Sequence, residues 1–348
     1  SGYDFSQMAG KLSYQTSVGA WQLTSEAGRY RNELVTESPF GRTKSITRRT
    51  QLSVLGHRDI TSQLQWMLGL DTVREEGVNV GSWHERRTHW SAWTSLQGGF
   101  NQFSYAASAR VDDDDRFGRE LSTQLALRWQ VNETLRSFVS VGEGFRSPNF
   151  SQLFSPGFDG LFAGNPLLQP EESLAYELGL DWTPLVGHQI SMSGFDSKVN
   201  DLISFTGPDF QAINVSEAHI KGIEIAHQYR SSAWFGEANW TWQDPVDKDL
   251  NQPLLRRAKN KGSLMVGYDF GEHTLTAEAI YVGDRRDVGQ EILESYTLIN
   301  LATQWRISSQ WSLGARLDNL ANENYEPLLG FNAGGRTARI TLKWQPDF

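Results

Sequence analysis

Apolar and polar side chains alternate along most of this chain with a period of two. From Arg119 to Gln130, one set is Leu121, Thr123, Leu125, Leu127 and Trp129. The other set is Glu120, Ser122, Gln124, Ala126, Arg128 and Gln130. Between Ser295 and Arg306, Thr297, Ile299, Leu301, Thr303 and Trp305 oppose Asn300, Ala302, Gln304 and Arg306. Near the end, Ala338, Ile340, Leu342 and Trp344 oppose Arg339, Thr341 and Lys343. Successive side chains of a strand point to opposite faces, so each segment has one apolar and one polar face. No stretch shows a convincing 3.6-residue helical period.

Roughly 17 such segments meet the alternation and spacing rules for strands. They lie near residues 8–16, 18–29, 46–57, 61–75, 86–98, 101–112, 119–130, 134–145, 172–183, 188–199, 217–229, 232–243, 258–270, 272–283, 295–306, 310–320 and 336–345. The connections alternate between short and long. Short ones include Gly98 to Asn101, Val131 to Glu133 and Pro184 to Gly187. Long ones are Tyr30 to Ser45, Gly77 to Glu85, Asp113 to Gly118, Arg146 to Glu171, Asn200 to Ser216, Asp244 to Arg257, Gly283 to Glu294 and Ala321 to Gly335. This pattern predicts an all-β fold, an antiparallel transmembrane β-barrel with tight periplasmic turns and long outer loops. Single-chain bacterial barrels have even strand counts. The odd count, with no signal peptide and an abrupt start at Ser1-Gly2, predicts one domain over residues 1–348 that is the C-terminal part of a longer barrel.

Composition supports a barrel. The 348 residues include 13 Trp, and aromatics make up 12%, while the mean hydropathy is −0.47. Polar residues lining a lumen and Trp and Tyr ringing two interfaces account for both facts. No run of about 18 apolar residues exists, so no transmembrane helix is expected. Without cysteine there is neither a disulfide framework nor a thiolate metal site. A net charge of −9 disfavours nucleic acid as a partner.

Several short motifs punctuate the strands. Phe145-Arg146-Ser147-Pro148-Asn149-Phe150 leads to Leu153-Phe154, and Gly164-Asn165-Pro166 is followed by Pro170-Glu171. Ile220-Lys221-Gly222-Ile223-Glu224 lies further on, and Asn319-Leu320, Tyr325-Glu326, Gly335-Arg336 and Phe348 close the chain. In this order the motifs resemble those of the TonB-dependent outer-membrane receptors, over essentially the whole chain. Leu254 to Lys259 (LLRRAK), Asp112 to Gly118 (DDDDRFG) and Ala333-Gly334-Gly335-Arg336 resemble the family's cobalamin transporter branch. The resemblance implies a barrel of 22 strands, of which about 17 are present, with an N-terminal plug and the first strands upstream of residue 1. It implies capture of a scarce, bulky ligand, a corrinoid such as cobalamin, for import into the periplasm, coupled through the plug to TonB. It places a ligand contact at Arg256. A Tyr-Asp pair in an outer loop of the branch resembles Tyr3-Asp4, with Tyr3 touching ligand and Asp4 serving calcium. The loop that follows is shorter here and lacks the matching downstream Asp. A siderophore receptor and a general diffusion porin are the competing transport readings.

The same residues also admit plainer uses. Arg256 can sit on a solvated loop or pair with a carboxylate. Asp112 to Asp115 are expected to form a solvated acidic loop rather than a calcium site, because neighbouring strand carboxylates face opposite ways. Gly and Pro of the Phe145–Glu171 stretch are expected to make turns. Phe150, Phe154, Phe158 and Phe162 are expected to pack that loop over the barrel mouth. The seven His are scattered, and His227 falls on the apolar face of its strand with Ile223, Ile225 and Tyr229. No Ser-His-acid order, HExxH pair or phosphate-binding glycine pattern is present, so the chain is not read as an enzyme. A soluble all-β protein would require the apolar faces to be buried between two sheets.

Overall fold

The computed structural model describes residues 2–38, 41–157, 160–206, 209–331 and 333–345. Phe158 and the terminal Pro346, Asp347 and Phe348 lie outside the described residues. Among those described there are seventeen strands of eight or more residues, and the ladders they form within each unit are antiparallel. Among the described residues no helix is long and apolar enough to cross a membrane.

The chain divides into two compact units. One comprises Ser1–Trp129, Ser140–Tyr176 and Lys198–Glu217. In it the strands Gly2–Val18, Trp21–Ser38, Gly41–Thr61, Leu64–Asn79, Trp83–Phe100 and Phe103–Asp114 pair in succession, and the last pairs with Gly118–Gln130. The other comprises Gln130–Val139, Glu177–Ser197 and Ala218–Phe348. Its ladder runs from residues 218–230, the second half of the strand Gln211–Arg230, through Trp234–Asp247, Asn260–Asp269, His273–Val282, Tyr296–Arg306 and Trp311–Asp318 to Thr337–Trp344.

Register carries the alternation from strand to strand. Leu121 opposes Val111, Leu125 opposes Ala107 and Trp129 opposes Phe103, so one face of the ladder is a continuous apolar band. That band is exposed: Leu12 keeps 73% of its surface, Leu70 62% and Leu121 60%. Only eleven apolar residues are buried among those described, far fewer than the large apolar residues left exposed. A soluble sandwich would bury this face, so the soluble reading is excluded. The opposite face is polar and cross-linked. Arg110 donates to Asp71 at 3.1 Å, to Ser91 at 2.6 Å and to Asp112 at 2.8 Å, joining three strands. Aromatic pairs gather near the short turns, including Trp21 with Trp66 at 5.3 Å and Phe103 with Trp129 at 6.0 Å. The turn at Asn101 is tight because Asn accepts a φ of +53°, which most side chains resist.

Strand ends differ from expectation at the long connections. The stretch 30–45, expected as a loop, is paired up to Ser38 opposite Gly41. The stretches 77–85 and 200–216 are likewise mostly strand. A bilayer-crossing strand needs only about 9–11 residues, and these run to 21 in Gly41–Thr61. The extensions are too polar to show an apolar alternation. Cross-strand ion pairs such as Arg48 with Glu76 at 3.0 Å accompany the continuing ladder instead. Helical structure also went unforeseen: Phe150–Phe154 is a short α-helix and Val288–Gln290 a 3₁₀ turn.

Candidate functional site

Two loop clusters stand at the long-connection ends of the strands. The first is the stretch from Phe145 to Glu171. Asn149 and Gln152 form a reciprocal capping box, each side chain accepting the other's backbone N–H at 2.9 Å, which starts the short helix. Leu153 and Leu168 are buried with Ile203 and Ala212, and Phe117, Phe154 and Phe205 pack around them. Glu171 fastens the far end. Its carboxylate takes both Nε and Nη2 of Arg146, and its Oε1 accepts the Ile203 N–H at 2.7 Å. Gly164 closes the loop where a Cβ would stand 2.7 Å from the backbone nitrogens of Phe154 and Ser155. Arg87 donates to Glu75 at 2.8 Å and to the Pro148 carbonyl at 2.9 Å, docking the loop on the polar face. Phe150, Phe154 and Phe162 are ring-packed, as expected: Trp83 meets the first two, and Phe162 stacks on Phe210 at 5.3 Å. The motifs here shape the backbone.

The second cluster surrounds Arg256, in the other unit. Arg256 is left-handed, with φ of +61°, and its N–H donates to the Arg286 carbonyl at 2.6 Å. Its Nε donates to Oδ1 of Asp287 at 2.7 Å, while the Arg256 side chain keeps 47% of its surface exposed. Asp287 is fully buried. Burial pushes its carboxyl up, but the Leu329 N–H, the Arg256 guanidinium and the Val288 N–H outweigh that and hold it below the ordinary carboxylate value. Beside it, buried Arg285 donates to the carbonyls of Glu326 at 2.7 Å and Pro327 at 3.1 Å. Tyr296 and Tyr325 pack at 4.3 Å, with the Arg285 guanidinium over the Tyr296 ring. Leu254 and Ala258 are buried on either side of Arg256 and Leu255 is half-buried, while this arginine turns outward. Asp287 and Arg285 carry no sequence signal, since they lie in a charged stretch like any solvated loop.

Tyr3 and Asp4 lie in the strand Gly2–Val18 rather than in a loop, opposite Thr36 and Val35. Both are exposed, and the pleat sends them to opposite faces, Tyr3 toward the polar face and Asp4 toward the face of Leu12. Among the described residues no group of three or more acidic, His or Cys side chains is placed to hold a metal ion. The expectation of a solvated acidic loop is corrected for Asp112 to Asp115. Asp112 and Asp114 are buried, Asp112 pairing with Arg110 and Asp114 with Arg87, and Asp114 also accepts the Arg116 N–H at 2.9 Å. Their neighbours Asp113 and Asp115 are exposed, the alternation a strand dictates. His227 shares a 3.0 Å hydrogen bond with His188, on which Tyr229 packs at 4.5 Å.

A family model described as TonB dependent receptor-like, beta-barrel, matches residues 1–320. The vitamin B12 transporter BtuB of Vibrio vulnificus is 28% identical over 347 residues, covering 97% of this chain and 55% of that protein. BtuB of Photobacterium profundum is 27% identical over 352 residues, covering 97% and 56%. The chain thus spans about half the length of the curated relatives it matches. Among solved structures, the copper transporter OprC superposes with a TM-score of 0.81 at 16% identity, over 98% of this chain and 65% of that one. The siderophore receptor PirA of Acinetobacter baumannii superposes with a TM-score of 0.81 at 15% identity, over 98% and 62%. At such identities the likeness is one of fold.

Proposed function

We propose, for a chain that belongs to the TonB dependent receptor-like β-barrel family, that it forms the ligand-capturing barrel portion of an outer-membrane receptor for a corrinoid such as cobalamin. The family and its members are transport receptors of the Gram-negative outer membrane and not enzymes. The exposed apolar band faces lipid, the aromatic pairs mark its interfacial rim, and the polar face lines the lumen. Import is active: a passive pore cannot concentrate a dilute solute. Energy from TonB acts through a plug, and the ligand shifts that plug only by its differential affinity for two plug states.

The observation that carries the corrinoid reading is Arg256. It sits inside the segment that resembles the cobalamin branch, its backbone is pinned and its guanidinium is half-exposed. A guanidinium suits the amide carbonyls and phosphodiester of a corrinoid. Tyr3, 78% exposed on the polar face of its own unit, is a ligand contact by the resemblance of its segment. Asp4 as a calcium ligand would need partners beyond the described residues.

Calorimetry on the receptor extracted from outer membranes in detergent tests this. Cyanocobalamin binds and a ferric catecholate chelate does not. Arg256→Ala weakens binding about 10- to 100-fold, the worth of a charged hydrogen bond of about 1.5–3 kcal/mol. Binding of the ferric chelate alone would replace the corrinoid with a siderophore.

A further inference from the structure

The Arg256 guanidinium is held in place before any ligand arrives. Asp287 Oδ1 accepts its Nε at 2.7 Å and the Val288 N–H at 2.7 Å. Oδ2 accepts the Leu329 N–H at 2.8 Å. The Asp287 backbone is fixed as well, its N–H donating to the Glu291 carbonyl at 2.8 Å and its carbonyl accepting from Gln290 at 2.9 Å. One fully buried carboxylate therefore joins three connections, those carrying Arg256, Val288 and Leu329. Its positive partner is half-exposed, so the pair is oriented with the acid inside and the guanidinium outside.

We infer that Asp287 is the positioning residue of the capture site, which presents the outward edge of the Arg256 guanidinium to acceptor oxygens of the ligand. The inference rests on the reading of Arg256 as a ligand contact. An arginine free in solvent loses rotamer freedom when it binds, and one already fixed through Nε loses less. The Nε contact also leaves the guanidinium's terminal amino groups for a planar pair of acceptors, as two amide carbonyls or a phosphodiester supply. Arg256 thereby links ligand contact to the connection that holds Leu329.

A double-mutant cycle in the detergent-extracted receptor separates positioning from mere support. Cyanocobalamin affinity is measured for the unaltered receptor, Arg256→Ala, Asp287→Asn and the double variant. Amide exchange at Val288 and Leu329 is followed without ligand. Asp287→Asn is expected to weaken binding about tenfold and to speed exchange at Leu329. In the Arg256→Ala background it is expected to add less than about twofold, because its effect passes through the arginine. Asp287→Asn weakening binding by the same factor in both backgrounds, or not at all while Arg256→Ala does, overturns the inference and leaves the ligand role of Arg256 standing. Unchanged affinity in Arg256→Ala overturns that role and the inference together. Should Asp287→Asn fail to fold, Arg256→Lys serves: an ammonium that donates to Asp287 has no planar pair of terminal N–H groups left for two acceptors, so affinity falls toward that of alanine, and full retention refutes positioning.

Discussion

Replacing Glu171 by glutamine is expected to open the Phe145–Glu171 loop without unfolding the strands beneath it. Glu171 is buried, and its two oxygens receive Nε and Nη2 of Arg146 and the Ile203 N–H. Glutamine is nearly isosteric, but one oxygen becomes an amide that donates. It must face either Arg146 Nε, at the position of Oε2, or both Arg146 Nη2 and the Ile203 N–H, at the position of Oε1, so at least one contact becomes donor against donor. A hydrogen bond to a charged group is worth about 1.5–3 kcal/mol. Breaking a fully buried pair costs about 3–5 kcal/mol. Arg146 keeps 51% of its side chain exposed, so water solvates the freed guanidinium and the lower range applies. About 2 kcal/mol corresponds to roughly a thirtyfold rise in the open fraction, at 1.36 kcal/mol per decade. The change is local, because the ladder Gly118–Gln130 makes no use of Glu171. Hydrogen exchange should therefore show protection at the amides of Gly164, Asn165 and Ile203 falling about thirtyfold, with Leu121 to Leu127 unchanged. Loop protection within about threefold of the unaltered chain would refute the clasp. Equal losses in loop and ladder would refute its local character.

Three other outcomes follow from the same structure. Leu125→Arg places a charge on the exposed apolar face and should cost about 2–4 kcal/mol in urea unfolding from lipid vesicles, whereas Gln124→Arg on the polar face should cost little; equal costs would overturn the assignment of faces. Gly164→Val puts a Cβ 2.7 Å from two backbone nitrogens, and an overpacking cost of about 1–3 kcal/mol should speed proteolysis of the loop; an unchanged cleavage rate would show that the loop can yield there. Asp287 has a folded pKa below its ordinary value of 3.8, so its clasp contributes fully above that value and is lost as pH falls through the folded pKa. Exchange at Leu329, corrected for intrinsic rates, should be flat from about pH 8 to 5 and rise in acid, and Asp287→Asn should abolish the rise.

Much of the architecture was readable from residue order because a strand has a period of two and a bilayer demands one apolar face. That constraint is local, so Leu121, Leu125 and Trp129 reveal their face without knowledge of any partner. The Gly and Pro motifs were legible as turn-makers for the same reason. The ends of the long strands were not, since pairing between polar residues such as Arg48 and Glu76 leaves no hydrophobic period. The acidic run misled as composition: four aspartates look solvated, yet pleating buries Asp112 and Asp114 beside arginines from the ladder.

Sequence by itself determined the antiparallel strands and which face of each is apolar, both properties of neighbours within a few residues, while Arg256 stood out only through the resemblance of its segment to a transporter branch. Tertiary structure alone decided what holds that arginine. Asp287 is 31 positions away and Leu329 another 42 beyond it. Contacts at such separations arise only when the ladder brings loop ends together, and no local pattern encodes which carboxylate will be buried there. The Tyr3-Asp4 pair makes the converse point. Adjacent in the chain, the two residues are parted by the pleat onto opposite faces.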